Sequence, residues 1–248
     1  MISNNQSKFI KSLQLKKYRK QEQCFTVEGA KGVDELLRSD FEIVLIAATL
    51  AYHQANESKL KKSNASLVTV PDAQLAQLGT FQSNAHVLAV ARQKSIEPPF
   101  VSDDEFALVL DDIRDPGNMG TILRTADWYG IRKVIASAQS ADFYNPKVIN
   151  ASMGSFTRIK VGYTSLSDYL SKAGRPVYGA FPGGEPVHKA SFSSSGLIVI
   201  GNESQGISSA IESLVTHRIG IPGAGRAESL NASVAAGIIM DNWFRLKQ

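Results

Sequence analysis

Apolar and polar positions along this 248-residue chain recur with two periods, one helical and one of buried strands. Phe9, Ile10 and Leu13 fall at i, i+1 and i+4, with Lys8, Lys11, Lys16, Lys17, Arg19 and Lys20 on the remaining faces. That stripe predicts one helix over residues 3–20. Residues 24–29 read as a short strand stopped by glycine, followed by a helix over 33–38 and a strand over 42–47. Two Val-rich runs, 66–70 and 87–90, flank a helix over 72–78. Strands alternating with helices predict an α/β unit with mostly parallel strands.

The pattern lapses between Arg92 and Glu105, where Pro98-Pro99 disfavours both helix and central strand. A linker is placed at 93–104, separating a domain of residues 1–92 from one of 105–248. The second series opens with Phe106-Ala107-Leu108-Val109-Leu110, an unbroken apolar run expected of a strand buried on both faces. A helix over 118–129 follows, then strands over 133–136, 176–180, 197–200 and 218–221. A long helix from Ser229, capped by a small polar residue, to about Leu246 closes the chain.

Charge changes this picture by its distribution. The formal net charge is +4, and residues 1–100 hold 13 basic against 9 acidic side chains, whereas the remainder is neutral. Residues 1–20 alone carry six basic groups and no acid. Such a run is either a solvated helix face or a segment that binds a polyanion. A hydrophobic fraction of 43% excludes wholesale disorder, and the single cysteine, Cys24, excludes an intrachain disulfide. No apolar run approaches the ~20 residues that span a bilayer. With Met1 to Gln6 polar and no signal-peptide core after them, the cytoplasm is the expected compartment.

The common catalytic patterns are absent. There is no phosphate-binding GxxxxGK[ST] run; Gly223-Ala224-Gly225 lacks the third glycine of a dinucleotide fingerprint; Ser204 lacks the spacing of a nucleophile elbow. His53, His86, His188 and His217 stand apart without metal-ligand spacing, so no metal is expected. Three segments remain, each a cluster of polar and glycine residues at the carboxyl end of a buried strand, where open parallel sheets bind ligands. They are Asp111-Asp112-Ile113-Arg114-Asp115-Pro116-Gly117-Asn118 running on to Arg124, Gly201-Asn202-Glu203-Ser204-Gln205-Gly206, and Ile221-Pro222 followed by Ser229-Leu230-Asn231-Ala232-Ser233.

In these three segments the chain resembles the SpoU family of RNA ribose 2′-O-methyltransferases, within the SPOUT superfamily. The first matches the family's RDPxNxGxxxRTA pattern through Asn118 and Arg124, the second its GNExxG pattern through Glu203, and the third its IP and SLNxSxA patterns through Ile221, Ser229, Leu230, Asn231 and Ser233. Residues 13–20 and 25–29 also resemble the family's substrate-binding domain. The resemblance implies a small N-terminal α/β RNA-binding domain and a C-terminal α/β SPOUT domain with a deep trefoil knot. It implies S-adenosylmethionine held by Gly201, Ile221, Leu230 and the loop of Ala180. It also implies a homodimer, with Asn118, Arg124, Glu203, Ser229 and Asn231 as catalytic candidates.

Methyl transfer from a sulfonium to a hydroxyl is an in-line displacement that needs alignment and one proton acceptor, and no metal. The resemblance makes Arg124 the main catalytic candidate, proposed as the base that takes the 2′-hydroxyl proton. A guanidinium normally stays protonated, which argues against that role, and its secure role is a bidentate grip on the target phosphate that orients the ribose. Ribosomal RNA is the favoured substrate. Transfer RNA and a non-catalytic RNA-binding role on the same fold are the alternatives. Lys11, Lys16, Lys17, Arg19 and Lys20 are the candidate phosphate contacts. Asp112 stands where many relatives have asparagine, which places a negative charge near a site for a polyanion.

Overall fold

The computed structural model describes residues 2–80 and 86–245. Two compact units divide the chain, Met1–Lys94 with Asp142–Thr157, and Ser95–Ala141 with Arg158–Gln248. In chain order the first stretch runs α1 (Asn4–Ser12), α2 (Lys16–Glu22), β1 (Cys24–Glu28), α3 (Ala30–Leu37), β2 (Ile43–Ala48), α4 (Leu50–Lys61), β3 (Ser66–Thr69), α5 (Asp72–Leu78) and β4 (Val87–Arg92). There follow β5 (Phe106–Leu110), α6 (Pro116–Trp128), β6 (Lys133–Ala136), α7 (Pro146–Ala151), β7 (Lys160–Tyr163), α8 (Leu166–Ser171), β8 (Val177–Pro186), β9 (Gly196–Ile200), α9 (Ser209–Glu212), β10 (His217–Gly220) and α10 (Ala232–Arg245). The expected end of the last helix at Leu246 lies outside the described residues.

The first unit holds a sheet of order β1-β4-β2-β3. Only β2 and β3 are parallel, joined through α4; β4 returns between β1 and β2 and runs antiparallel to both. The expectation of mostly parallel strands is therefore corrected here: a last strand inserted beside the first reverses two of the three pairings. Segment 142–157 belongs to this unit although it lies beyond residue 105. Its Tyr144 and Phe156 rings sit 4.7 Å and 5.9 Å from that of Phe25 on β1, with Phe41 closing the aromatic cluster. Burial pushes the Tyr144 hydroxyl up to about 12, so it stays a neutral donor to the Lys94 carbonyl. Burial likewise raises the Cys24 thiol, which leaves it an inert core residue.

The helix expected over 3–20 is broken. Ser3 and Gln6 form a capping box on α1, and the chain leaves helical geometry before α2 because Arg19 folds back beneath the break. Its Nη1 donates to the carbonyls of Leu13 and Gln14 at 2.9 and 2.8 Å, and its Nη2 to Asp142 at 2.6 Å. Arg19 is 2% exposed. It is thus a structural cation and not a phosphate contact, which corrects its place among the RNA-binding candidates. Lys11, Lys16, Lys17 and Lys20 are all exposed.

The second unit is a fully parallel sheet of order β10-β8-β9-β5-β6-β7. β5 and β9 lie at its centre with every residue buried, as their apolar sequences require. From β5 the chain proceeds outward to β6 and β7, whereas from β9 it proceeds to β10 on the opposite side. The order therefore reverses between β5 and β9, the position where open α/β sheets form a ligand crevice. On one face α6 and α10 pack in parallel: Tyr129 donates to Asp241 at 3.1 Å, and its ring lies 5.5 Å from that of Phe244 in a tilted contact. Trp243 of α10 lies 5.0 Å from Phe106 of β5.

Arg19→Ala is expected to destabilise the chain by about 3 kcal/mol, since it leaves two carbonyls and a partly buried carboxylate without their cation. A urea midpoint equal to that of the unchanged protein would contradict this role.

Candidate active site

Three loops converge at the reversal point because β5 and β9 end level, Leu110 pairing with Ile200. The loop after β5 enters α6, where Asp115 caps the helix by accepting the Asn118 N–H at 2.7 Å. The cap fixes Asn118 in the first turn with its amide turned toward the other loops. Asn118 donates to Glu203 Oε1 at 2.5 Å, from the loop after β9, and accepts from Asn231 Nδ2 at 2.9 Å, from the segment before α10. One amide thereby links all three sequence clusters. The polarity runs one way, from Asn231 through Asn118 to the carboxylate of Glu203.

Asn231 is oriented from behind. Its Oδ1 accepts from the Ser233 backbone at 2.9 Å and the Ser233 hydroxyl at 2.6 Å, which makes it the cap of α10. The expected cap at Ser229 is corrected: the helix begins at Ala232, and Ser229 is exposed in the preceding loop, with no contact to the Asn118 chain. Ser229 and Asn231 are both good caps by residue type, and only the hydrogen bonds distinguish them.

Three neighbouring residues outside the candidate set shape the same loops. Asp111 is 6% exposed and accepts the Ser208 N–H at 2.8 Å, tying the loop after β9 to the end of β5. Asn202 donates to the Asp112 carbonyl at 2.9 Å and holds its own loop by accepting from Ser204 and Gln205. Asp112 adopts φ of +59°, a left-handed conformation that Asn and Asp tolerate best among residues with a side chain. Its carboxylate accepts from Arg114 Nε at 2.7 Å, and that bond and charge raise the guanidinium's pKa above its ordinary value. The Asp-Asp pair at the end of an apolar strand was the signal that could have found them.

The residues expected around the methyl donor line the same edge. A Cβ on Gly201 would lie 2.3 Å from the Gly206 carbonyl carbon and the Ile207 nitrogen. Glycine is needed there because the loop folds back on its own backbone, closed by the Asn202–Gly206 bridge. Ala180 opens a bulge: β10 pairs with Gly179 and next with Glu185, so residues 180–184 leave the ladder. Ile221 is half-buried, and Leu230 is 45% exposed, an apolar wall without a partner in the described chain. Arg124 is exposed on α6, and no described residue pairs with it.

Residues 105–241 match the family model of the SpoU rRNA Methylase family, and residues 4–89 match the MRM3-like substrate binding domain. The chain belongs to the SpoU rRNA methylase family. A 23S rRNA (guanosine(2553)-2′-O)-methyltransferase of Bacillus subtilis, RlmP, is 30% identical over 96% of this chain and 95% of its own. Among solved structures, a TrmH-family protein from Porphyromonas gingivalis is 36% identical with a TM-score of 0.86, covering 99% of both chains. An AdoMet-bound rRNA methyltransferase from Sinorhizobium meliloti is 26% identical with a TM-score of 0.86, covering 99% of this chain and 96% of that one.

In this SpoU chain the carboxylate of Glu203 and the amide of Asn118 are half-buried at the loop junction, and each has a hydrogen-bond partner there. No group of metal-ligating residues is found among the described residues, and none of their helices is long and apolar enough to cross a membrane. Asn118→Ala is expected to cost about 1–2 kcal/mol of stability by releasing Glu203 and Asn231. Asn118→Asp is expected to cost more, because it sets a second carboxylate against Glu203. A denaturant titration that ranks Asp as the milder change would refute the linkage.

Proposed function

We propose that this SpoU-family protein methylates a ribose 2′-hydroxyl of structured RNA, ribosomal RNA first and transfer RNA as the alternative, using S-adenosylmethionine. The observation that carries the reading is the Asn231–Asn118–Glu203 chain, which ties the three family motifs together at the reversal point of a parallel sheet. A non-catalytic RNA-binding role is disfavoured because every polar member of that constellation is present.

The residues around the donor position fit such a molecule. The glycine-bearing bulge of 180–184 and the tight turn at Gly201 offer main-chain donors and acceptors, and Ile221 and Leu230 offer apolar surface for a flat ring. When bound, S-adenosylmethionine supplies a methyl group already activated on sulfur. The chain's task is then alignment. Arg124, exposed and unpaired among the described residues, grips the phosphate beside the target ribose through its planar fork. Asn118 holds the loop junction, and Asn231 and Ser229 present polar groups where α10 starts. The role proposed for Arg124 is to orient the ribose and stabilise the transition state through that grip.

The division of labour follows the charge. Residues 1–92 hold the RNA through Lys11, Lys16, Lys17 and Lys20, residues 93–104 link, and residues 105–248 carry out transfer on a trefoil-knotted domain. The working form is a homodimer, supported by the apolar side chains that α6 and α10 leave in solvent, with Trp128 83% and Val234 49% exposed. The cytoplasm, where such RNA resides, is the proposed compartment.

The test is transfer of labelled methyl from S-adenosylmethionine to RNA, with 2′-O-methyl positions mapped in cells with and without the protein. Arg124→Ala is expected to lower turnover at least ~100-fold while calorimetric binding of S-adenosylmethionine persists, as for loss of a group that acts on the transition state. Neutralising the four lysines is expected to flatten the salt dependence of RNA affinity, by roughly 0.7–0.9 per lost phosphate contact. Loss of donor binding in Arg124→Ala, an unmoved salt slope, or a monomer in sedimentation would each remove the corresponding part of the reading.

A further inference from the structure

Arg114 stands four residues ahead of Asn118 and takes no part in the Asn118 chain. Its side chain is 69% exposed, yet it is not loose. Nε donates to Asp112 Oδ1 at 2.7 Å, and the terminal nitrogens, Nη1 and Nη2, have no partner among the described residues. A guanidinium held by Nε presents its outer edge, the edge whose paired N–H groups match two oxygens of a phosphate.

The platform beneath it is tied down by hydrogen bonds. Asp112 donates its N–H to Ser137 Oγ at 2.9 Å, and its carbonyl and carboxylate face Asn202 Nδ2 at 2.9 and 3.4 Å. Ser137 pairs in turn with Ser140 at 3.0 Å, which accepts the Ile113 N–H and donates to the Leu110 carbonyl. Both serines are buried. Asn202 is the neighbour of Glu203, so the platform adjoins the candidate active site through the chain itself. A bare carboxylate at that position would repel a polyanion; the arginine on it cancels the charge and turns a donor edge outward.

We infer that Arg114 is a substrate-binding contact to the phosphate backbone of the RNA at the mouth of the site, and that Asp112 is its positioning residue. The inference rests on the function proposed above and gives a role to the arginine that opens the RDPxNxGxxxRTA run, distinct from the roles of Asn118 and Arg124.

The experiment uses the full chain, labelled S-adenosylmethionine, and bulk ribosomal RNA from cells lacking the protein. Arg114→Ala is expected to raise KM for RNA about tenfold, with the effect on KM and not on kcat, and to lower the salt slope of RNA binding by about one contact. Arg114→Lys is expected to restore the slope but not the affinity, because an ammonium lacks the fork. Asp112→Gly keeps the left-handed backbone and its main-chain bonds while removing the carboxylate. If Asp112 acts by positioning, this variant binds RNA more weakly although a negative charge has gone. Simple repulsion predicts the opposite sign. Unchanged KM and slope in Arg114→Ala would overturn the contact, and tighter binding by Asp112→Gly would overturn the positioning. If the unchanged protein methylates none of this RNA, the proposed function fails on that arm, while the salt slopes still decide the role of Arg114.

Discussion

Everything at the site depends on the register between two parallel strands buried on both faces. β5 and β9 pair from Phe106 with Gly196 to Leu110 with Ile200, and each of those residues is buried. A slip in that register would leave hydrogen-bonding groups unpaired in an apolar layer, at a cost of several kcal/mol. The strands therefore end level, and the loops that follow start from one height. Asp111 on Ser208 and Asn202 on Asp112 then lock those loops to each other, so Asn118 meets Glu203 without any contact that the helices themselves would dictate.

The electrostatics of the region follow one rule: each inward carboxylate or amide is satisfied by a neutral donor or by a cation, and the remaining cations face outward. Glu203 takes an amide, Asp111 a backbone N–H, and Asp112 the guanidinium of Arg114. Arg124 and Arg114 are left with donor edges in solvent. That arrangement suits a polyanionic substrate better than a small neutral one, and it agrees with the exposed lysines of the first unit. Arg19 shows the opposite case. One cation of the basic run is turned inward by three acceptors, and its charge supports the chain break between α1 and α2.

Much of this was legible along the chain. The apolar runs of β5 and β9 announced their burial, and the clusters at 111–118, 201–206 and 221–233 announced the loops that meet. Less was legible where local signals compete or vanish. Helix α4 buries only Leu60 and so leaves no apolar stripe to read. The short edge strand β7 carries too few residues for a period to show. Ser229 and Asn231 carry equivalent capping chemistry, and Arg19 is chemically identical to its exposed basic neighbours.

The amino-acid sequence by itself determined the α/β class, the identity of the three polar clusters, their family, and the placing of positive charge ahead of a neutral domain. These are properties of residue type and spacing, which a linear chain records. Tertiary structure alone decided the strand directions of the first sheet, the joining of 142–157 to that unit, the burial of Arg19, and the bond order from Asn231 to Glu203. Each of those depends on contacts between residues far apart in the chain, Asn118 and Glu203 being 85 positions apart. Such contacts exist only once a packed core has chosen between local alternatives of nearly equal energy.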